Sequence, residues 1–230
     1  MIKDFKRNFP TYKIVQPSTG KELSFRPFLV SDEKNLLLIK EEKDTSLIVK
    51  NILNLLSTCF IDINQESITL QDLEYLFCTL RSKSVGEIVK TNFTCPQTGE
   101  KIRTNLDLSK LSTERKSFEK EIVFDPSFKI IFKEPTVEKL LSIKGSFDIM
   151  HIAKASVHKL YKDDATYDFM DIAEEEMDTI FNSLTTKEFE EIKKFVTQLP
   201  KTQATVEYKT SDEKNRTMKL DGVLNFFTYA

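Results

Sequence analysis

Apolar side chains recur every three or four residues in several stretches of this chain, a spacing that predicts helices with one buried face. One apolar stripe runs from Ile48 to Cys59. A second runs from Leu73 to Leu80, and the preceding segment Thr69–Asp72 has the sequence of a capping box. Within such a stripe we expect a cysteine to be a small buried hydrophobic residue.

Three more helices are predicted from their starts and from the same spacing. Ser31 is a candidate N-cap, because the two carboxylates that follow it suit the first turn of a helix. The stretch Tyr167–Leu184 is amphipathic, with an apolar stripe that begins at Met170. A second capping box, Thr185–Glu188, precedes the apolar stripe of the last predicted helix.

Strand-forming residues on either side of turn sequences predict four β-hairpins. Their strands are Tyr12–Val15 with Leu23–Arg26, two strands within Arg81–Ile102, Ile122–Phe124 with Phe128–Phe132, and Ala204–Lys209 with Thr217–Leu220. The region from Pro135 to the last pair is predicted to be largely helical. These elements predict an α+β fold with a helical core and several small antiparallel hairpins.

A polar stretch of mixed charge, Leu106–Lys120, is the candidate joint between two lobes. The amino-terminal lobe would comprise residues 1–115, and the carboxyl-terminal lobe residues 116–230. A single compact domain is the alternative.

The charge balance and the cysteines restrict the class of protein. The chain carries 34 Lys and Arg residues against 36 Asp and Glu residues, a net charge of −2. It therefore lacks the positive field of a nucleic-acid-binding protein, and no nucleic-acid partner is predicted. The three cysteines form no close pair, which fits a reducing compartment. No apolar run reaches the roughly 18 residues that a membrane helix needs, so no membrane insertion is expected.

The turn Cys95-Pro96-Gln97-Thr98-Gly99 has the outline of a zinc knuckle. A zinc ribbon needs thiolates in pairs, but Thr98 stands where the second thiol belongs. Pro96 fixes one φ angle and Gly99 supplies a left-handed residue, so the turn is predicted to keep its shape without metal. We expect this knuckle-like hairpin to serve packing or recognition and to bind no cofactor.

Signatures of catalysis are missing from the sequence. The five glycines lie too far apart for a phosphate-binding loop. His151 and His158 are seven residues apart, so on a single predicted helix they would lie on one solvent-facing side, about 10 Å apart along the axis. We therefore predict neither an enzyme activity nor a small-molecule substrate.

The segment Asp163–Asp178 contains eight carboxylates and no Lys or Arg. Its spacing lacks the glycine and the alternating ligands of a calcium-binding loop. Two interpretations are open: a solvated helix face, or a docking surface for a basic partner. The residues of this acidic docking face would be Asp171, Glu174, Glu175, Glu176 and Asp178.

Three blocks of sequence stand out in the first half of the chain: PSTGKELSFRPFLVSDEKNLLL, LRSKSVGEIV and TCPQTGEKI. Together they resemble the baseplate hub protein family of T-even-type phages. The residues matched to that family are Arg26, Pro27, Phe28, Asp32, Glu33, Arg81, Ser82, Lys83, Ser84, Val85, Gly86, Cys95, Pro96 and Gly99. Related sequences often carry a Cys-x-x-Cys turn where this chain has Cys95 and Thr98, so this chain departs from the family at the one place where a metal role could carry over.

The resemblance implies a non-enzymatic structural subunit of a contractile-tailed phage baseplate hub, acting in tail and baseplate assembly through protein–protein contacts. Its partners would be other baseplate hub or tail proteins, and its location the virion tail baseplate, with the host cytoplasm during assembly. One alternative is a transient assembly chaperone that is absent from the mature virion. Another is a degenerate zinc-ribbon protein that binds nucleic acid, against which the single thiol of the turn and the charge balance argue.

Overall fold

The computed structural model describes residues 8–39, 44–113 and 118–221. The helices in these ranges are α1 Val30–Ile39, α2 Thr45–Cys59, α3 Leu70–Ser84, α4 Val137–Ser142, α5 Ile149–Ala155, α6 Glu174–Ser183 and α7 Thr186–Thr197. The strands are β1 Tyr12–Val15, β2 Glu22–Phe25, β3 Phe60–Ile61, β4 Ile88–Thr94, β5 Lys101–Asp107, β6 Glu119–Asp125, β7 Phe128–Lys133, β8 Val157–Lys162, β9 Ala165–Asp168, β10 Gln203–Lys209 and β11 Asn215–Asp221. The predicted α+β class is confirmed.

The strands form small antiparallel sheets. The hairpin β1–β2 is extended by the short β3, whereas β4–β5 and β10–β11 are two-stranded. The strands β6, β7, β8 and β9 follow one another in a four-stranded sheet. All four predicted hairpins are confirmed, and the sequence analysis did not predict the strands β3, β8 and β9.

The first hydrophobic cluster surrounds α2 and α3. The predicted stripes Ile48–Cys59 and Leu73–Leu80 both supply buried side chains to it, as the helical spacing requires. The first hairpin covers one side, where the Phe25 ring stacks on Phe60 with 4.8 Å between centroids. Burial of each large apolar side chain contributes about 1.5–3 kcal/mol to stability, so this cluster is a main source of the folding free energy.

The second hydrophobic cluster lies between the four-stranded sheet and the helices α5, α6 and α7. Phe132 of β7 and Phe195 of α7 are fully buried, with 5.5 Å between ring centroids. Phe118 stacks on the same Phe195 ring at 5.2 Å. The capping box of Thr185 and Glu188 is present at the start of α7, as predicted.

The last hairpin packs into the first cluster, although α4 to α7 come between them in the sequence. Leu220 of β11 is buried there, and the Thr202 hydroxyl donates to the Gln71 carbonyl at 2.9 Å. Leu106 and Leu108, in the stretch predicted as a joint, are buried in the same cluster. The lobe boundary near residue 115 stays a prediction. The contacts described here hold the final hairpin against the amino-terminal elements.

The turns of the first two hairpins share a sequence and a geometry. Pro17-Ser18-Thr19-Gly20 and Pro96-Gln97-Thr98-Gly99 both read Pro-x-Thr-Gly. In each turn the glycine N–H donates to the carbonyl four residues earlier at 2.9 Å. Gly20 has a φ of 71° and Gly99 a φ of 73°, so the predicted left-handed residue at Gly99 is confirmed.

Two predicted helix starts are wrong. Helix α1 begins at Val30, and its first turn is closed by the Asp32 carboxylate, which accepts the Leu29 N–H at 2.7 Å; Ser31 is therefore not the N-cap. Helix α6 begins at Glu174 because the preceding residues form β9 and a single 3-10 turn. Met170, placed by the sequence in the apolar stripe, is 82% exposed on that turn.

The region after Pro135 is less helical than predicted. Residues Val157–Lys162 form β8, which pairs with β7 and with β9. The run Val-His-Lys-Leu-Tyr has no strict alternation of apolar and polar residues, but Val and Tyr favour strands, and pairing with β7 makes this segment a strand. His158 therefore lies on β8 whereas His151 lies on α5, so the expectation of two histidines on one helix is wrong.

The segment between β7 and α4 connects the two clusters at the start of α3. The Val137 N–H donates to the Ile68 carbonyl at 2.7 Å. Glu134, earlier in this segment, is half-buried, and burial raises the pKa of its carboxyl to about 7. A hydrogen bond with the Thr69 hydroxyl opposes this shift, and the nearby Asp72 charge adds to it.

We expect Gly99→Val to destabilise the protein by about 1–3 kcal/mol, because a β-branched residue is strained at positive φ. A Cβ added at Gly99 meets no described atom within 4 Å. The loss of stability would therefore come from backbone strain and not from a steric clash. Gly99→Asn should be milder, and Gly20→Val, in the matching turn, should resemble Gly99→Val. Chemical denaturation measures all three. Equal stabilities for the Val and Asn variants at position 99 would contradict the left-handed assignment.

We expect Glu134→Gln to stabilise the protein at pH 8 by about 1–3 kcal/mol and to have little effect near pH 4.5. The pKa of Glu134 in the folded protein lies above its ordinary value, so the wild type loses stability as the pH rises from about 4.5 to 7. The variant does not lose this stability, because a glutamine side chain does not ionise. Urea denaturation across this range measures the difference. Glu138→Gln, on the exposed side of α4, is the matched control for the loss of one carboxylate. A constant offset between Glu134→Gln and the wild type at every pH would argue against titration of Glu134.

Candidate functional site

The exit of the first hairpin contacts the end of α3. The Phe28 N–H donates to the Ser84 hydroxyl oxygen at 2.9 Å, and that hydroxyl donates to the Leu80 carbonyl at 2.6 Å. These bonds bring together two of the sequence blocks matched to the phage family, Arg26–Phe28 and Arg81–Gly86. The sequence predicted both blocks but not their contact.

The charged residues of these blocks hold the backbone in place. Arg26 and Asp32 form an ion pair of 2.8 Å with only 21% and 8% of their side chains exposed. The Arg81 guanidinium donates to the Gly86 carbonyl at 2.8 Å and closes the turn after α3. Because these groups are engaged with the chain itself, they act as supports of the fold. Val85, in the same turn, is 62% exposed and faces solvent.

The remaining matched residues divide between interior and surface. Ser82 is buried, Pro27 is half-buried, and Glu33 and Pro96 are exposed. Lys83 pairs with Glu87 at 2.7 Å on the surface. They do not converge on a common cavity in the part of the chain that the structure describes.

The Cys95 thiol is buried beneath the knuckle-like hairpin and contacts the last hairpin. Its sulfur lies 3.3 Å from the Tyr208 hydroxyl and 3.2 Å from the side-chain oxygen of Gln97. Burial acts to raise the pKa of the thiol, but hydrogen bonds from Thr98, Tyr208 and the backbone amides of Gln97 and Thr98 lower it to about 7. The thiol therefore joins two hairpins that are more than a hundred residues apart.

Other contacts complete the junction between these hairpins. The Phe93 ring meets Tyr208 edge to face with 5.0 Å between centroids. The Glu100 carboxylate accepts the Ser211 N–H at 3.0 Å and the Ser211 hydroxyl at 2.6 Å. The knuckle-like hairpin thus contacts the last hairpin through Phe93, Cys95 and Glu100, whereas the turn residues Pro96 to Gly99 are exposed.

The structure brings no metal ligands together around Cys95. Within residues 8–39, 44–113 and 118–221, no group of three His, Cys, Asp or Glu side chains is arranged to hold an ion. Burial raises the pKa of the Cys59 thiol to about 11 and raises that of Cys78 as well, so both are expected to stay protonated.

The two histidines occupy different environments. His151 is 4% exposed, and its Nε2 lies 2.8 Å from the Leu140 carbonyl, so the solvent-facing position expected for it is wrong. His158 is half-buried on β8, where burial and the charges of Lys133 and Lys139 lower the pKa of its ring. Neither has a nucleophile or a second histidine beside it among the contacts that the structure gives.

A groove of about 780 Å³ is bordered by α6, the start of α7 and one end of the four-stranded sheet. Six apolar side chains form its floor: Phe124, Phe128, Leu160, Ile172, Ile180 and Leu184. Five carboxylates form its rim: Asp125, Asp171, Glu175, Glu176 and Glu188. This acidic groove, which combines an apolar floor with a rim of carboxylates, is the candidate interaction site.

The residues of the predicted acidic docking face are divided between the groove and its surroundings. Asp171, Glu175 and Glu176 border the groove. Glu174 accepts the Lys144 N–H at 3.2 Å and lines a smaller cavity of about 170 Å³. Asp178 forms an ion pair with Lys154.

The sequence analysis did not identify the floor of the groove. Phe124 and Phe128 flank the predicted turn Asp125-Pro126-Ser127, and their rings stack at 4.9 Å. Both rings are half-buried, in contrast to the fully buried aromatic rings of the cores. The pattern Phe-Asp-Pro-Ser-Phe was a usable signal, since a tight turn brings the two flanking residues side by side.

We expect Cys95→Ala and Tyr208→Phe each to lower the Tm by roughly 2–4 °C, because each removes one partner of a buried polar contact. The double variant should lose less than the sum of the two, since the partners act on each other.

The stability contributed by Cys95 should also depend on pH. Because the thiol pKa of about 7 lies below its ordinary value of 9, the wild type should gain stability relative to Cys95→Ala as the pH rises from 7 to 9. Thermal melts measure both effects, and strictly additive losses would contradict the contact.

Comparison with known proteins supports the resemblance noted in the sequence. Residues 9–228 match the family described as T4 bacteriophage base plate protein. No curated protein and no solved structure gives a significant match. None of the helices in the described ranges has the length and apolar composition needed to cross a bilayer. Because the family match spans nearly the whole chain, this chain belongs to the T4 bacteriophage base plate protein family and is a structural protein of the phage tail baseplate.

Proposed function

We propose that this protein is a non-enzymatic subunit of the baseplate hub of a contractile-tailed phage, and that it acts in tail and baseplate assembly through protein–protein contacts. The observation that carries the proposal is the family match over residues 9–228. The organisation of the chain agrees with it, since the matched residues of the first half support a rigid scaffold. A scaffold with firmly held surfaces is what an assembly component requires.

The acidic docking face is the surface that we assign to these contacts. Asp171, Glu175 and Glu176 are exposed and stand beside apolar side chains of the groove. Such a combination of charge and apolar surface favours association with a protein partner, because charge steers the encounter and apolar burial holds the complex. The same concentration of carboxylates opposes binding to the phosphate backbone of nucleic acid.

Quantitative mass spectrometry of gradient-purified virions tests the proposal. We expect this chain at a constant ratio to the other baseplate proteins, because a hub subunit is retained in the particle. A phage-encoded enzyme of infected cells serves as the control and should be depleted by the same purification. Phage lacking this chain should accumulate incomplete baseplates, visible by electron microscopy.

Two outcomes would overturn the hub assignment. Absence from virions, together with recovery on baseplate intermediates, would identify the transient assembly chaperone instead. Normal baseplates in phage that lack the chain would exclude a required role in assembly altogether.

A further inference from the structure

We infer that the acidic groove binds a basic amphipathic segment of a partner protein, with apolar side chains on the groove floor and Lys or Arg side chains on its rim. This inference rests on the proposed function, because it names the chemistry of the partner that the docking face receives.

The floor of the groove is an apolar surface that the protein leaves partly open. Phe124, Phe128, Ile172, Ile180 and Leu184 pack against the second cluster on one side and are only half-buried. They come from the β6–β7 hairpin and from the segment that runs from the 3-10 turn to the end of α6. Covering such a surface stabilises a complex by about 25 cal/mol for each Å² removed from water, so the floor favours a partner with apolar side chains.

The rim of the groove carries an excess of negative charge. Its five carboxylates come from the β6–β7 turn, the 3-10 turn before α6, the first turn of α6 and the start of α7. Among the described residues that line the groove, Lys162 is the one cation. Lys162 lies 3.3 Å from the Ser127 hydroxyl and 5.7 Å from the Phe128 ring, and after the hydrogen bonds from Ser127 its charge also helps to lower the pKa of Asp125. None of the five carboxylates forms an ion pair with another described residue.

Carboxylates elsewhere on the same sheet have cationic neighbours. Glu121 pairs with Lys129 at 3.0 Å, and Glu119 pairs with Lys133 at 3.0 Å. The rim of the groove therefore differs from the neighbouring surface of the sheet, and it gathers like charges that repel one another. A basic segment would relieve this repulsion on binding, which is the charge complementarity that selects the occupant.

The rim carboxylates are also held in place by the backbone. Glu176 accepts the Ala173 N–H at 3.1 Å, and Glu188 accepts the Thr185 N–H at 2.7 Å. Asp125 accepts the Ser127 N–H at 2.7 Å. These bonds fix the position of three of the rim charges before any partner arrives, so little side-chain entropy of these three residues is lost on binding. The apolar floor and the acidic rim together match the mode in which an amphipathic helix lies in a groove.

The test uses the full-length protein and three synthetic peptides of about 14 residues, or four helical turns. The first peptide alternates Leu and Lys at helical spacing, the second replaces each Lys by Glu, and the third replaces each Leu by Ser. Fluorescence anisotropy measures the affinity of each. We expect the Leu-Lys peptide to bind at least about tenfold more tightly than either of the others, and its affinity to fall as salt rises, since the rim charges are screened.

Variants localise the binding. Glu175→Lys changes the rim and Ile180→Ser the floor, and each should weaken binding of the Leu-Lys peptide by about tenfold, which corresponds to about 1.4 kcal/mol. The matched controls are Glu207→Lys on β10 and Val123→Ser on β6, both exposed and outside the groove, and they should change the affinity by less than about twofold. Circular dichroism checks that each variant is folded, and Glu175→Gln replaces Glu175→Lys if the latter is not.

Four results would overturn the inference. These are equal losses in the groove and control variants, equal affinity for the Leu-Glu peptide, no binding of the Leu-Lys peptide, or a dimer in sedimentation experiments that is lost in Ile180→Ser. The last result would assign the groove to a second copy of the chain. Virion mass spectrometry separates this test from that of the hub assignment, because a virion protein whose groove binds no basic peptide refutes only the inference about the groove.

Discussion

The buried carboxylate of Asp72 is the interaction on which the arrangement of the first half of the chain depends. It lies in the first turn of α3, where it accepts the Thr69 N–H at 3.2 Å, and it is fully buried. The same carboxylate accepts the Ser18 N–H and the Gln16 amide, each at 2.9 Å, so it fastens the first hairpin turn to the helix. A buried charge without partners would be costly, and here the helix dipole and these donors satisfy it. One capping residue thus sets both the start of a helix and the position of a sheet.

The second cluster attaches to the first at the same place. The Glu134 segment passes the start of α3, and its half-buried carboxyl lies close enough to Asp72 for the two charges to interact. Thr202, on the way to the last hairpin, bonds to the first turns of α3 as well. Residues from three distant parts of the sequence therefore meet at the start of α3. The contact between Cys95 and Tyr208 also joins the β4–β5 hairpin to the β10–β11 hairpin.

The two clusters differ in where their polar groups point, and for this reason we propose that partner proteins bind beside the second cluster. Around α3 the polar groups are turned inward and bond to the chain itself, which makes that half a rigid support. Around α6 the carboxylates are turned outward and the apolar floor is left half-open. In the function proposed above, the first half of the chain would keep its shape while the groove beside α6 would receive a partner protein.

Local chemistry in the sequence determined the elements that depend on near neighbours. The stripes of α2 and α3, the capping boxes at Thr69 and Thr185 and the left-handed Gly99 all follow from spacings of a few residues, and all are confirmed. The family was also recognisable from short blocks of sequence. Tertiary structure alone decided that Val157–Lys162 is a strand, that His151 is buried and that the acidic segment borders an apolar groove. Each of these depends on partners from distant parts of the chain, and periodicity within a segment carries no information about which surfaces meet.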